Sequence, residues 1–235
     1  MEKKLNKVFI GFDPIESVAW HTMAHSVLRQ STIPLALIPV NLKNLKSLYW
    51  RETDYRQSNE FSFSRFLVPY LSDYEGYSLF FDCDMLVRTD IRELFKAAQD
   101  NPDMAVHVVK HDYEPRTEVK YLNNLQYKYP RKNWSSVVVW NCAHPSNRVV
   151  TPEYVNSASP TDLHRFNWLE DKHIGELNIR WNWLVGEYED PPSDVKNVHW
   201  TIGGPYFNEY RNADFSEEWF TEHKRINYCA QIKEG

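Results

Sequence analysis

At 235 residues, with 42% hydrophobic and 25% charged residues, the chain fits one large globular domain of ordinary soluble type. Its net charge of -5 gives no reason to expect a nucleic-acid partner. Cys83, Cys142 and Cys229 cannot make a disulfide framework, no apolar run nears the roughly 18 residues that span a bilayer, and residues 1–7 lack the apolar core of a signal peptide. A reducing, cytoplasmic setting is expected.

Residues 8–12 read as a short strand reaching the turn Gly11-Phe12-Asp13-Pro14. A helix is expected over 16–30, with Trp20, Met23, Val27 and Leu28 on one face, then a strand over 35–40. Residues 63–71 look helical despite Pro69, and a buried strand follows from Leu79. Asp90 is expected to cap a helix running to about Gln99, with Glu93 placed for a capping box. Valine-rich strands follow over 105–109 and 136–140. Alternating strands and helices indicate an α/β sandwich with a largely parallel sheet, whose ligands collect at the carboxyl ends of strands. Asp13 and Asp82 sit at such ends. Residues 151–161 and 186–196 read as loops, and 216–232 as a closing amphipathic helix. With no repeat or clear linker, 1–235 reads as one domain.

The chemistry concentrates in Leu79-Phe80-Phe81-Asp82-Cys83-Asp84-Met85-Leu86-Val87. If the chain stays extended through Cys83, the Asp82 and Asp84 side chains project to one side. Two carboxylates so close repel unless a cation lies between them, and hard divalent ions take such oxygen ligands together with phosphates. His199, ending a strand-like run before Gly203-Gly204-Pro205, is placed to reach a shared site. None of the seven glycines forms a phosphate-cradling G-x-G-x-x-G or Walker loop, so a bound diphosphate would depend on a metal and side chains. Aromatic residues at 15% suit either sugar platforms or packing. His21 and His25, at i and i+4, lack the glutamate of a zinc-protease helix, and His107 and His111 suit packing.

These segments together resemble, in order, the retaining glycosyltransferases of the glycogenin and lipopolysaccharide galactosyltransferase family (family 8, GT-A fold). Phe9-Ile10-Gly11-Phe12-Asp13 is similar to the family's first strand and nucleotide turn, and Ser64-Arg65-Phe66-Leu67-Val68-Pro69 to its arginine-bearing helix. The aspartate segment with Asp90-Ile91-Arg92-Glu93-Leu94-Phe95 is the nearest match. Trp134 to Asn141, Glu176 to Asn182, and His199 with Gly203 to Tyr206 follow in the same order.

The resemblance implies a single GT-A-type, Rossmann-like domain, with a nucleotide-binding part over about 1–100 and an acceptor side over about 101–235. It implies a hexose moved from a UDP-sugar to a carbohydrate or other hydroxyl acceptor, with Mn2+ preferred and Mg2+ weaker. Asp82, Asp84 and His199 would hold the metal. Gly11, Phe12, Asp13, Cys83, Gly203 and Gly204 would line the donor site. Arg65 would meet the diphosphate or brace the aspartates, and Glu170 or Asp171 would orient the acceptor or steady the sugar's positive charge.

The chain also departs from the family's pattern. Gly204 stands where the family has its diphosphate-binding lysine, leaving Arg65, Lys172 or Arg211 as substitutes. Trp134 and Ser136 replace the Asn and Gly of Asn-Ser-Gly, and the Asp-Gln pair appears only as Glu170-Asp171-Lys172. Two rival readings are a non-catalytic nucleotide-sugar-binding protein on the same fold and a haloacid-dehalogenase-type phosphatase. Met85-Leu86 is wrong for the phosphatase. Donor identity, acceptor and oligomeric state are not read from these residues.

Overall fold

The computed structural model describes residues 5–52, 57, 59–117, 119–125 and 130–227. In chain order its first elements are β1 (Asn6–Gly11), α1 (Ser17–Gln30), β2 (Leu35–Val40), α2 (Val68–Leu71), β3 (Tyr77–Phe81), β4 (Met85–Val87), α3 (Arg92–Gln99) and β5 (Val106–Val108). There follow β6 (Val119–Lys120), β7 (Asn124–Leu125), β8 (Val137–Asn141), α4 (Pro152–Ser157), α5 (Pro160–His164), β9 (Ile174–Glu176), β10 (Trp183–Leu184), β11 (Asn197–His199) and α6 (Ser216–Ile226).

The main sheet has six strands in the order β2-β1-β3-β8-β5-β9. β1 runs parallel to β2 and β3, and β5 parallel to β9, while β8 alone opposes its neighbours β3 and β5. The expected α/β architecture with a mostly parallel sheet is therefore the observed one. Strands buried on both faces need unbroken apolar runs rather than alternation. Val8-Phe9-Ile10, Leu79-Phe80-Phe81 and Val137 to Trp140 supply them, all buried. α1 buries Ala19, Met23 and Val27, one helical turn apart, and α3 buries Leu94, Phe95 and Ala98.

The sheet alone would not bring distant residues to the aspartates. A second, three-stranded sheet, β10-β11-β4, does so. The ladder of β3 ends as Asp82 N donates to Ser136 O at 3.0 Å. The chain then bends at Cys83 and Asp84 instead of staying extended, and β4 leaves to pair antiparallel with β11.

Other local expectations are corrected. α3 begins at Arg92 without a capping box. Asp90 accepts from Arg92 N at 3.0 Å, but Glu93 pairs with Lys196 and does not reach back. The segment 151–161 is not a loop: Thr151 and Ser159 each cap a short helix with proline at its start. Proline suits the first helical turn, where its missing N–H leaves nothing unpaired. The closing helix is seen over Ser216–Ile226, and the expected residues beyond 227 lie outside those described, as does Cys229. Among the described residues, no helix is long and apolar enough to cross a membrane.

Candidate metal centre

Asp82, Asp84 and His199 meet where the two sheets join. One ligand atom from each lies within 4.8 Å of the others, and all three residues are buried. Sheet geometry accounts for the long-range member. In the β4–β11 pair His199 stands opposite Met85, and Trp200 N donates to Asp84 O at 3.0 Å. His199 Nε2 comes to 3.4 Å from Asp84 Oδ1. Its Nδ1 contacts Asn182 Oδ1 at 2.8 Å, while Asn182 Nδ2 donates to Ser136 Oγ at 2.8 Å.

Arg65 braces the other side. Its Nη1 lies 2.6 Å from Asp82 Oδ1 and donates to Ser135 O at 3.0 Å, and its Nε donates to Phe61 O at 3.3 Å. The guanidinium also lies over the Phe61 and Phe80 rings. Burial pushes the Asp82 carboxyl up to about 6, with Arg65 opposing and Asp84 adding to the rise. Asp84 is equally subject to burial, yet His199 and then Lys120 outweigh it and hold that carboxyl below its ordinary value. Two neighbouring carboxylates driven apart in this way share one field.

The donors fit a divalent ion. Asp84 Oδ1 is buried and, among the described residues, accepts no hydrogen bond, while Asp82 Oδ1 is buried against Arg65 Nη1 at 2.6 Å. Buried oxygens without donors are costly unless another partner serves them. The two carboxylates with one imidazole form a donor set that could hold a divalent ion.

Around this cluster lies a second acid. Glu16, buried in the turn after β1, accepts from Tyr206 Oη at 3.0 Å and contacts Cys83 Sγ at 3.9 Å. Burial, and then Asp84, push Glu16 up to about 8. The Cys83 thiol is likewise raised by burial and then by Glu16, so it is no thiolate. Asp13 uses both carboxylate oxygens to hold its turn, accepting from Ile15 N at 2.9 Å and Glu60 N at 3.0 Å. Phe12 is half-buried against the edge of Trp20. Gly11 is needed because a Cβ there would lie 2.3 Å from the Phe61 ring. Gly204 has a like reason: a Cβ would meet the Tyr206 ring at 2.1 Å.

Glu170 and Asp171 are exposed in ion pairs, with Lys172 at 2.9 Å and Arg131 at 2.5 Å respectively. Arg211 lies over the Phe220 ring. His25 pairs with Glu222 of α6 at 2.6 Å, whereas His21 is exposed with its ring edge-on to Trp20. Sequence reasoning gave no role to Glu16, His164 or Lys120, and placed Ser135 and Asn182 only within family-like segments. His164 Nδ1 contacts Ser135 Oγ at 3.0 Å, beside Arg65. Glu16 left a signal, a carboxylate three residues past Asp13 on the first strand's turn, whereas Lys120 left none.

The fold and site define a class. Three solved structures share the fold at 14% identity: the WbbM bifunctional glycosyltransferase, the galactosyltransferase LgtC with donor and acceptor sugar analogs, and the glycosyltransferase GlyE of Streptococcus pneumoniae. Their TM-scores are 0.64, 0.59 and 0.60. The match covers 95%, 96% and 94% of this chain, and 50%, 98% and 60% of theirs, so the chain spans about half of WbbM. The chain therefore has the GT-A glycosyltransferase fold. No family model matches its sequence. Protein CDI of Arabidopsis thaliana is 44% identical over 232 residues, covering 96% of this chain and 89% of that protein. The chain belongs to the Protein CDI family.

Proposed function

We propose that this protein is a metal-dependent retaining glycosyltransferase of the family 8 type, which moves a hexose from a UDP-sugar to a hydroxyl acceptor. The observation that carries the reading is the buried group Asp82, Asp84 and His199 at the end of β3, with Asp84 Oδ1 lacking a hydrogen-bond donor among the described residues. These residues would hold Mn2+, with Mg2+ a weaker substitute because imidazole favours transition ions. When bound, the ion offsets negative charge gathering on the leaving diphosphate.

The chain's own residues do the remaining work. Arg65 holds Asp82 in place, and Asn182 orients the His199 ring. In this reading the uracil lies along the Gly11 to Asp13 turn, with residues up to about 100 serving the nucleotide and the rest serving the acceptor. Gly203 and Gly204 keep the floor of the phosphate region low. Glu170 or Asp171 meets the acceptor, and Cys83 contributes backbone. The buried free thiols of Cys83 and Cys142 suit a reducing, cytoplasmic compartment.

A thermal-shift screen of nucleotide-sugars with and without Mn2+, followed by transfer assays, tests this. Ligand at a hundred times its Kd stabilises the fold by roughly 2.7 kcal/mol. We expect a UDP-sugar to act only with metal. Preference for GDP- or ADP-sugars, or indifference to metal, contradicts the assignment. The exposed ion pairs of Glu170 and Asp171 favour one second reading, nucleotide-sugar binding without catalysis. Metal-dependent donor binding with neither hydrolysis nor transfer would select it.

A further inference from the structure

We propose that Lys120, on the β6–β7 hairpin, is the side chain that binds the diphosphate at this centre. The inference rests on the donor reading above and extends it to a residue in no motif.

A divalent ion held by Asp82 and Asp84 is already matched in charge, so a diphosphate needs another cation. Arg65 is engaged by Asp82, Ser135 O and Phe61 O. Lys172 pairs with Glu170, and Arg131 with Asp171 and Arg165 O. The glycine turn offers no place for a cation, since a side chain at Gly203 would strike the Tyr210 ring at 2.3 Å and one at Gly204 the Tyr206 ring.

Lys120 differs from all of these. Its ammonium lies within electrostatic reach of Asp84, Asp82 and Glu16. Yet among the described residues no carboxylate makes a direct ion pair with it, and its ammonium lies over the ring of its neighbour Tyr121, at 5.8 Å. The backbone beneath it is fixed to the site. Tyr121 N donates to Ile202 O at 2.8 Å, in the turn just past His199, and the Tyr121 ring stacks on Phe207 at 5.1 Å. A lysine on an anchored strand end combines a set position with a flexible stem and rotating donors. That suits phosphate oxygens, which accept from any direction.

Calorimetric titration of wild type, Lys120→Met and Lys120→Arg is the test, with Mn2+ alone and then with UDP and inorganic pyrophosphate in saturating Mn2+. Lys120→Met should weaken both diphosphate ligands by roughly tenfold or more. It should leave Mn2+ binding unchanged or tighter, because a like charge near the ion is gone. Lys120→Arg should recover most of the loss. Unchanged diphosphate affinity in Lys120→Met overturns the proposal. So does parallel weakening of Mn2+ alone, which would mean that Lys120 only supports the metal ligands. Wild type that binds neither ligand in Mn2+ overturns the donor reading itself, and Lys120 with it.

Discussion

Asn182 Oδ1 meets His199 Nδ1 at 2.8 Å, and this contact sets which nitrogen of the histidine faces the aspartates. The amide orientation follows from its other end, where Nδ2 donates to Ser136 Oγ at 2.8 Å. An amide oxygen only accepts, so Nδ1 carries a proton and Nε2 is the nitrogen turned towards Asp84. Outer partners of this kind hold a metal-binding imidazole in one tautomer.

Asn182→Ala should therefore weaken Mn2+ binding about 10–100-fold without removing a ligand. Calorimetric Mn2+ titration of wild type and variant checks this, with far-UV circular dichroism to verify folding. Unaltered Mn2+ affinity in a folded variant would show that the ring needs no such support.

Arg65 should matter to stability as well as to the site. Its side chain is 6% exposed and that of Asp82 is 11% exposed. Removing one member of a buried pair leaves the other charge uncompensated, at a cost of about 3–5 kcal/mol. Arg65→Ala should lose stability of that order in urea unfolding. Arg65→Lys should recover only part, because lysine cannot reach Asp82, Ser135 O and Phe61 O with one planar fork. Full stability in Arg65→Ala would mean that the pair contributes little.

His107 gives the fold an acid-sensitive point. It is 2% exposed, and among the described residues neither ring nitrogen has a hydrogen-bond partner. Burial pushes it down to about 4 from an ordinary 6.5. The unfolded chain thus takes up a proton first as pH falls, and protons favour unfolding. This contribution is fully present above pH 6.5 and is lost as pH drops towards 4, by on the order of 3 kcal/mol. Urea midpoints between pH 7 and 4.5 should fall less steeply in His107→Leu than in wild type. Equal slopes would place the titration elsewhere.

Gly175 is fixed by the same histidine. It lies opposite His107 in the β5–β9 register, and a Cβ there would come 2.5 Å from His107 Cδ2. Gly175→Ala should destabilise by about 1–3 kcal/mol through overpacking. Pairing it with His107→Ala should restore part of the loss, read from chemical denaturation. Additive losses would deny the contact.

Much of the main sheet was legible in the sequence because its strands are buried on both faces, and buried strands carry unbroken apolar runs such as Leu79-Phe80-Phe81. Asp82 and Asp84 were legible for the same reason, as charges at the end of such a run. Their convergence through a bend rather than an extended strand was not, because it depends on β4 leaving for β11. The helices at Pro152 and Pro160 were hidden because proline marks both a break and a start. Glu93 fits a capping box by spacing, but Lys196 is its partner, and that pairing spans the fold. Asn182 lay in a family-like segment, but its hold on His199 appears only in the tertiary contacts, and Lys120 stands in no local pattern.

The most direct test of the central claim is Mn2+-dependent thermal stabilisation of wild type, Asp82→Ala, Asp84→Ala and His199→Ala, with and without UDP. The account predicts that Mn2+ raises the wild-type Tm, that UDP raises it further only with the metal, and that both aspartate variants lose both shifts. His199→Ala should keep a smaller shift and discriminate less between Mn2+ and Mg2+. Wild-type shifts retained by folded Asp82→Ala and Asp84→Ala would contradict the assignment of these carboxylates as metal ligands.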